Sequence, residues 1–304
     1  MRFSASVGLV TLLPLLTAAC SLIAPSDREL VGVRSEGGTN SAGGAPPDAG
    51  GAGTSGATTG AGGGSGGTSG SIGGSGGTGG SLDAYASEVL KDGPIAYYRL
   101  DDAVGSATAA DFMGNYPAAS SSFGVSFGQA GLFAGSLASV ALDGTGFLDV
   151  RNAFGFSGKQ PFTIEGWAQR ASDDRDQHYF AASIRTDTMQ ISYGLFHLMA
   201  SLGFERSDGL GWDGAYSPDT FAVYTAAHIA AVFDGTSVSL FQDGMMVGEQ
   251  LNALIDIPST PIVFRWGGAP GGLSMFSGKL DDLAIYDHAL SPARIVAHYK
   301  AAVP

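Results

Sequence analysis

From Gly37 to Ser81 the chain is built almost entirely of glycine, serine, threonine and alanine, with Ile72 the lone large apolar residue. Such a segment cannot bury enough apolar surface to offset the entropy of ordering its backbone. Residues 21–81 are therefore expected to form a disordered linker, and folding is confined to residues 82–304. A flexible tract of ~60 residues reaches about 40–45 Å root-mean-square. Its glycines lack the period of three that a collagen helix needs. No strand precedes them, and no Lys-Ser or Lys-Thr helix start follows, as a phosphate-cradling loop would require.

Ahead of the linker, Arg2 gives a positive start and Val7 to Leu16 a short apolar run interrupted by Pro14. That run falls short of the ~20 residues of a membrane-spanning helix and fits a processed export signal. It ends in Leu16-Thr17-Ala18-Ala19-Cys20, which resembles the bacterial lipobox, with Thr17 where that motif most often has leucine. The resemblance implies that residues 1–20 are a lipoprotein signal and that Cys20 is lipidated. The chain would then be extracytoplasmic, held at the membrane of a bacterial envelope by its acyl chains. Ser21, where an aspartate would retain a lipoprotein at an inner membrane, points to an outer membrane. Cys20 is the only cysteine, so the mature fold has no disulfide and depends on packing.

The formal net charge is -13. Three arginines against four acids before Leu82 leave about -12 for the rest, which argues against nucleic acid as a partner. Strand signals dominate there: Ile95 to Leu100, Phe147 to Val150, Phe162 to Arg170, Tyr179 to Ile184, Gln190 to Met199, His228 to Phe233, Val238 to Gln242, Met245 to Glu249, Ile262 to Trp266 and Lys279 to Tyr286. Many short strands at turn-marked spacing predict an all-β, two-sheet antiparallel sandwich. Asp243-Gly244 between apolar runs predicts a two-residue hairpin turn. Helix is expected only at the ends, over Asp83 to Leu90 and after Ser291-Pro292, with Ile295, Val296 and Tyr299 as a buried stripe.

Four ordered segments carry a family resemblance: Tyr85 to Asp101, Phe162-Thr-Ile-Glu-Gly-Trp167, His228 to Gly235 with the hairpin that follows, and Gly278-Lys-Leu-Asp281-Asp282-Leu-Ala-Ile-Tyr286 to Ser291. Together they resemble a LamG-like domain of the concanavalin A-like lectin/glucanase superfamily. Ala226 departs from the pattern, which often has tryptophan there. The resemblance implies a jelly roll with one concave sheet, and a range of functions from sugar-binding and adhesion modules to glycosidases.

The Glu-x-Asp-x-x-Glu strand of the glucanase relatives, whose spacing puts carboxylates on one face, is absent. No histidine pair has zinc spacing, and Gly155-Phe-Ser157-Gly158 is not a nucleophile elbow. The expected function is a non-catalytic binding or adhesion module for a glycan or a surface protein. The alternatives are a glycoside hydrolase or polysaccharide lyase, and a passive envelope protein. Two places are candidate ligand sites. Glu165 and Trp167 share a strand face and either contact a sugar on the concave sheet or fill the core. Trp212 and Tyr216 lie in the polar stretch Arg206 to Thr220, read as a loop, and either meet a ligand or fold back over the core. The resemblance further implies a structural calcium held by Asp101, Asp102 and Asp281; otherwise these are solvated turn acids.

Overall fold

A computed structural model describes residues 82–303 apart from 174, 175, 184–190, 199, 200, 220, 260–262 and 273. The signal segment, Cys20 and the linker lie outside the described residues. In chain order the elements are α1 (Ala84–Lys91), β1 (Ala96–Tyr98), β2 (Thr108–Ala109), β3 (Ala118–Ser120), β4 (Val125–Gln129), β5 (Ser139–Asp143), β6 (Leu148–Arg151) and β7 (Phe162–Arg170). They continue with β8 (Gln177–Ser183), β9 (Ile191–Leu198), β10 (Ser201–Ser207), β11 (Trp212–Tyr216) and β12 (Ala226–Phe233). The last are β13 (Val238–Gln242), β14 (Met245–Gln250), β15 (Val263–Trp266), β16 (Ser277–Tyr286) and α2 (Pro292–Ala302).

The strands form two antiparallel sheets. One runs β14-β13-β12-β7-β16-β5-β4, with β1 added beside β16; the other runs β11-β10-β9-β8-β15-β6-β3-β2. Strand β7 shows how the layers arise from the period of two. Phe162, Ile164 and Ala168 point into the core between the sheets, where Phe162 stacks on Phe156 at 4.5 Å and meets Tyr193 at 5.0 Å across the sandwich. Trp167 points the other way, into a second apolar layer with Ala230, Val232, Phe241 and Tyr286. Open to water, that face would be an exposed apolar patch. Tyr85 and Val89 of α1, with Ile295 and Ala302 of α2, cover it.

Local chemistry sets both helix starts. Asp83 caps α1, its Oδ1 accepting from Ala86 N at 2.8 Å. Ser291 and Pro292 open α2 as expected, although the Ser291 hydroxyl makes no capping bond. The buried stripe of α2 is Ile295, His298 and Ala302, with Val296 and Tyr299 only half-buried. The Asp243-Gly244 turn has positive φ at both residues (51° and 75°), with Gln242 paired to Met245. The strand expected over Ile95 to Leu100 stops at Tyr98, because Arg99 turns to Asp83 at 2.8 Å and Leu100 takes φ 57°. The supposed loop Arg206 to Thr220 is corrected: it is largely the β10–β11 hairpin, in which Arg206 pairs with Asp213 and Ser207 with Trp212.

A bulge in β16 has consequences for charge. Between Asp281 and Ala284 the pairing with β7 slips by one residue, and Asp282 takes φ 46°. Leu280 and Leu283 remain in the inter-sheet core, while Asp281 and Asp282 are both buried. Close packing also fixes Gly278, where a Cβ would lie 2.1 Å from the backbone oxygen of Gln169 on β7. Gly278→Ala is expected to cost about 1–3 kcal/mol by overpacking, read as a lower urea midpoint; an unchanged midpoint would show that the two strands can part without cost.

Candidate functional site

Glu165 and Trp167 do share a face of β7, but that face lies beneath the helices. The Glu165 carboxylate is fully buried. Its Oε1 accepts from Tyr286 Oη at 2.6 Å and lies 2.7 Å from His298 Nδ1, and its Oε2 lies 3.3 Å from His228 Nε2. The chain of contacts continues outward: His298 Nε2 is 2.8 Å from Asp92 Oδ2, which also accepts from Arg294 Nε at 2.7 Å. Burial by itself would push the Glu165 carboxyl up; the charge and hydrogen bonds of His298 and His228 reverse this and hold it well below the usual carboxylate range. Burial likewise opposes protonation of His298, and Glu165 and Asp92 overcome it, raising its pKa. The Trp167 ring is 3 % exposed, flanked by Phe133 at 5.1 Å and Tyr299 at 6.1 Å in near-parallel orientation. Neither residue stands on the open, sugar-facing surface considered for them, because α1 and α2 occupy that side of the sheet.

The acids considered for calcium do not form one ligand set. Asp101 faces Arg99, with Nε 3.9 Å from its Oδ2, and Asp102 Oδ1 accepts from Ala110 N at 3.0 Å. Asp281 is fully buried, its Oδ2 accepting from Leu132 N at 2.9 Å and Ser136 Oγ at 2.6 Å. Among the described residues no group of three His, Cys, Asp or Glu side chains is arranged to hold a metal. What the bulge assembles is an acid pair. Burial pushes Asp281 up to about 7, and burial with the neighbouring Asp281 charge raises Asp282, whose Oδ1 accepts from Tyr97 Oη.

Trp212 and Tyr216 stand differently. Residues 212, 214 and 216 of β11 share one face, and 213 and 215 the other. On the inner side Ala215 joins the core. There the Arg206 guanidinium lies 3.4 Å over the Phe233 ring, 3.3 Å from Asp213 Oδ1, and donates to Ile255 O at 2.8 Å. That clamp ties the hairpin to β12 and to the segment around Ile255. On the outer side Trp212 is 65 % and Tyr216 38 % exposed, with ring centroids 6.4 Å apart and planes at 83°. Tyr216 Oη donates to the Glu205 carboxylate. Glu205 is flanked across the sheet by Gly194 and Gly214, and Gly203 sits between Phe196 and Tyr216. A Cβ on Gly203 would come within 2.8 Å of the Phe196 ring. The outward face thus carries two exposed aromatic rings and one carboxylate, with Gly194, Gly203 and Gly214 buried beneath neighbouring side chains. The period-two pattern Gly203-x-Glu205-x-Ser207 and Trp212-x-Gly214-x-Tyr216 is the sequence signal for Glu205, which lies just before the stretch Arg206 to Thr220 in residues with no expected strand.

Comparison with known proteins bears on this architecture. The sequence profile of the concanavalin A-like lectin/glucanases superfamily matches residues 142–296, just over half of the chain. The chain belongs to the concanavalin A-like lectin/glucanases superfamily. No curated protein sequence matches it significantly. Solved structures of similar fold include domain 4 of an extracellular GH43 arabinanase from Geobacillus stearothermophilus in complex with arabinotriose (15% identity, TM-score 0.52, 68% of this chain and 98% of that one). A second is Trypanosoma rangeli sialidase, at 15% identity and TM-score 0.52, covering 69% of this chain but only 33% of the sialidase. A third is the ligand-binding domain of botulinum neurotoxin serotype D in complex with N-acetylneuraminic acid, at 12% identity and TM-score 0.52, covering 72% of this chain and 52% of that one. At such identities the likeness is one of fold. With the helices over one sheet, the exposed rings of the β10–β11 hairpin on the other are its candidate ligand surface.

Proposed function

We propose that the domain is a non-catalytic glycan-binding module whose site is the outward face of the β10–β11 hairpin. The observation that carries this reading is the exposed Trp212–Tyr216 pair beside Glu205. Aromatic rings offer apolar area to the C–H face of a sugar, and a carboxylate accepts from its hydroxyls. Arabinotriose and N-acetylneuraminic acid bound in complexes of proteins of this fold support a saccharide as the ligand class.

Lipidation of Cys20 and a flexible 21–81 tether belong to the same reading: they would hold the module outside the cell, anchored to the envelope, with reach to find its ligand. A glycan array is the deciding experiment. Wild-type protein is expected to bind a subset of glycans, and Trp212→Ala to weaken that binding about tenfold or more, equivalent to ~1.4 kcal/mol, with no change in melting temperature. A mutant that binds like wild type would remove Trp212 from the site. Turnover of an oligosaccharide on a substrate panel would replace the non-catalytic reading. Failure on the array with capture of an envelope protein would favour a protein ligand.

A further inference from the structure

The helix-covered side of the sandwich holds a second concavity, on the opposite sheet from Trp212. The last turn of α2, the loop 132–134, the β13–β14 turn and the start of β12 border a water-open cleft of about 280 Å³. Leu132, Phe133, Ala226, Tyr299 and Val303 give it an apolar wall, and one charged side chain faces it, that of Asp243. Ala226 pairs with Gln169 on β7 and is small enough to leave the space open. The volume lies at the small end of ligand pockets, roughly 300 Å³ and upward.

Three features make the cleft electronegative. The Asp243 carboxylate is half used: its Oδ1 accepts from His228 N at 3.0 Å, and its Oδ2 has no donor among the described residues. Helix α2 also ends here, with Ala302 and Val303 both at the cleft. The Tyr299 carbonyl accepts from Val303 N at 3.3 Å, but no further turn supplies donors to the carbonyls of Lys300 to Ala302, the negative end of the helix dipole. Finally, no lysine, arginine or histidine lines the cleft. His228 turns its ring inward, Nε2 lying 3.3 Å from Glu165 Oε2. Arg294 is held at the other end of α2 by Glu88 and Asp92, and Lys300 is exposed outside the lining. An anion would therefore meet a carboxylate and a helix C-terminus with no compensating cation. A neutral hydrocarbon would cover the carboxylate and leave it unpaired.

We propose that this cleft binds a primary alkylammonium group, the head and stem of a lysine side chain or of a free aliphatic amine. One N–H donates to Asp243 Oδ2 in a charge-assisted hydrogen bond, and the others meet the carbonyls at the end of α2 or water. The methylene stem lies along Leu132, Phe133 and Val303, as lysine stems do on apolar surface. The chain's net charge of -13 attracts cations to the whole surface; the cleft adds an apolar wall that selects for a hydrocarbon stem.

The test uses the full chain at physiological ionic strength, where diffuse attraction is screened. The probes are cadaverine, Nα-acetyl-lysine N-methylamide and its neutral Nε-acetylated analogue, with calorimetry and saturation-transfer NMR as readouts. At least one of the two amines is expected to bind saturably, and the neutral analogue about tenfold more weakly or not at all. Which amine binds separates a lysine-bearing peptide from a free aliphatic amine as the source. Asp243→Asn keeps an acceptor for His228 N and, before Gly244, a favoured turn sequence; it is expected to weaken binding about tenfold or more without lowering the melting temperature. Ala226→Trp, which fills the cleft, is expected to abolish binding, and Trp212→Ala to leave it unchanged. Melting curves accompany each variant; if Ala226→Trp fails to fold, Asp243→Asn carries the test. No saturable binding by wild type, equal binding of the neutral analogue, or equal binding by Asp243→Asn overturns the proposal. Binding lost only in Trp212→Ala would move the amine to the other sheet, and also overturns it.

Discussion

Replacing Glu165 with alanine is expected to lower the free energy of unfolding by about 3–5 kcal/mol, the usual cost of breaking a buried ion pair. The carboxylate is the hub on which His298, His228 and Tyr286 converge. All of these groups are buried. Without the carboxylate, His298 loses the anion that favours its charged form, and His228 and Tyr286 lose their buried partner. The loss lands on α2, because His298 is that helix's polar contact with the sheet. Urea unfolding followed by far-ultraviolet circular dichroism measures the change. Glu165→Gln, which keeps an acceptor for Tyr286 but removes the charge, is expected to fall between the two. A loss below ~1 kcal/mol for the alanine variant would mean that apolar packing holds α2 on its own.

Stability is also expected to fall as pH rises from about 6.5 to 9. Two groups of opposite type act with the same sign. The folded-state pKa values of Asp281 and Asp282 are raised by burial, so over this range the folded chain holds protons that the unfolded chain has released. Each such group contributes stability that is complete only below its unfolded value, about 4, and is lost as pH climbs through the folded one. His298 is raised by Glu165, so its contribution is complete below the unfolded histidine value and lost as pH rises through the folded one. On the acid side one group acts with the opposite sign. His178, pushed down to about 4 by burial, binds its proton less readily folded than unfolded, so its own contribution declines as pH drops below about 6.5. Asp281→Asn keeps acceptors for Leu132 N and Ser136 Oγ while removing the ionisation, and is expected to flatten the alkaline limb. A melting temperature constant from pH 6.5 to 9, or an unflattened Asn variant, would show that the acid pair is already ionised in the folded chain below this range or is compensated throughout.

Particular residues show what was legible in the sequence. Strand β7 was read to the residue because Phe162 to Arg170 is rich in strand formers and bounded by turn residues. The Asp243-Gly244 turn was equally plain, since few other residues accept two consecutive positive φ angles. Strands β2 to β5 and the β10–β11 hairpin were not read. They are short and rich in alanine, serine and glycine, and their extended form comes from the strands that pair with them rather than from local preference. At the candidate sites the obstacle was distance along the chain. Nothing near Glu165 and Trp167 signals that α1 and α2 will cover them, and the partners His298 and Asp92 come from opposite ends of the domain. Trp212 and Tyr216 stand out as aromatic residues in a polar stretch, but Glu205 lies before that stretch and joins them only through the pairing of β10 with β11.

The pairing of α1 with α2 bears on how the domain can be joined to other chains. Arg294 ties the start of α2 to Glu88 and Asp92 near the end of α1, while Tyr85 in the first turn of α1 lies 6.4 Å, ring to ring, from His298 toward the end of α2. The helices therefore run antiparallel, and the polypeptide enters and leaves the domain at one corner. A module closed at a single corner can be spliced into a surface loop of a host protein, or strung in tandem, without parting either sheet. It can also be circularly permuted by joining that corner and opening a hairpin elsewhere.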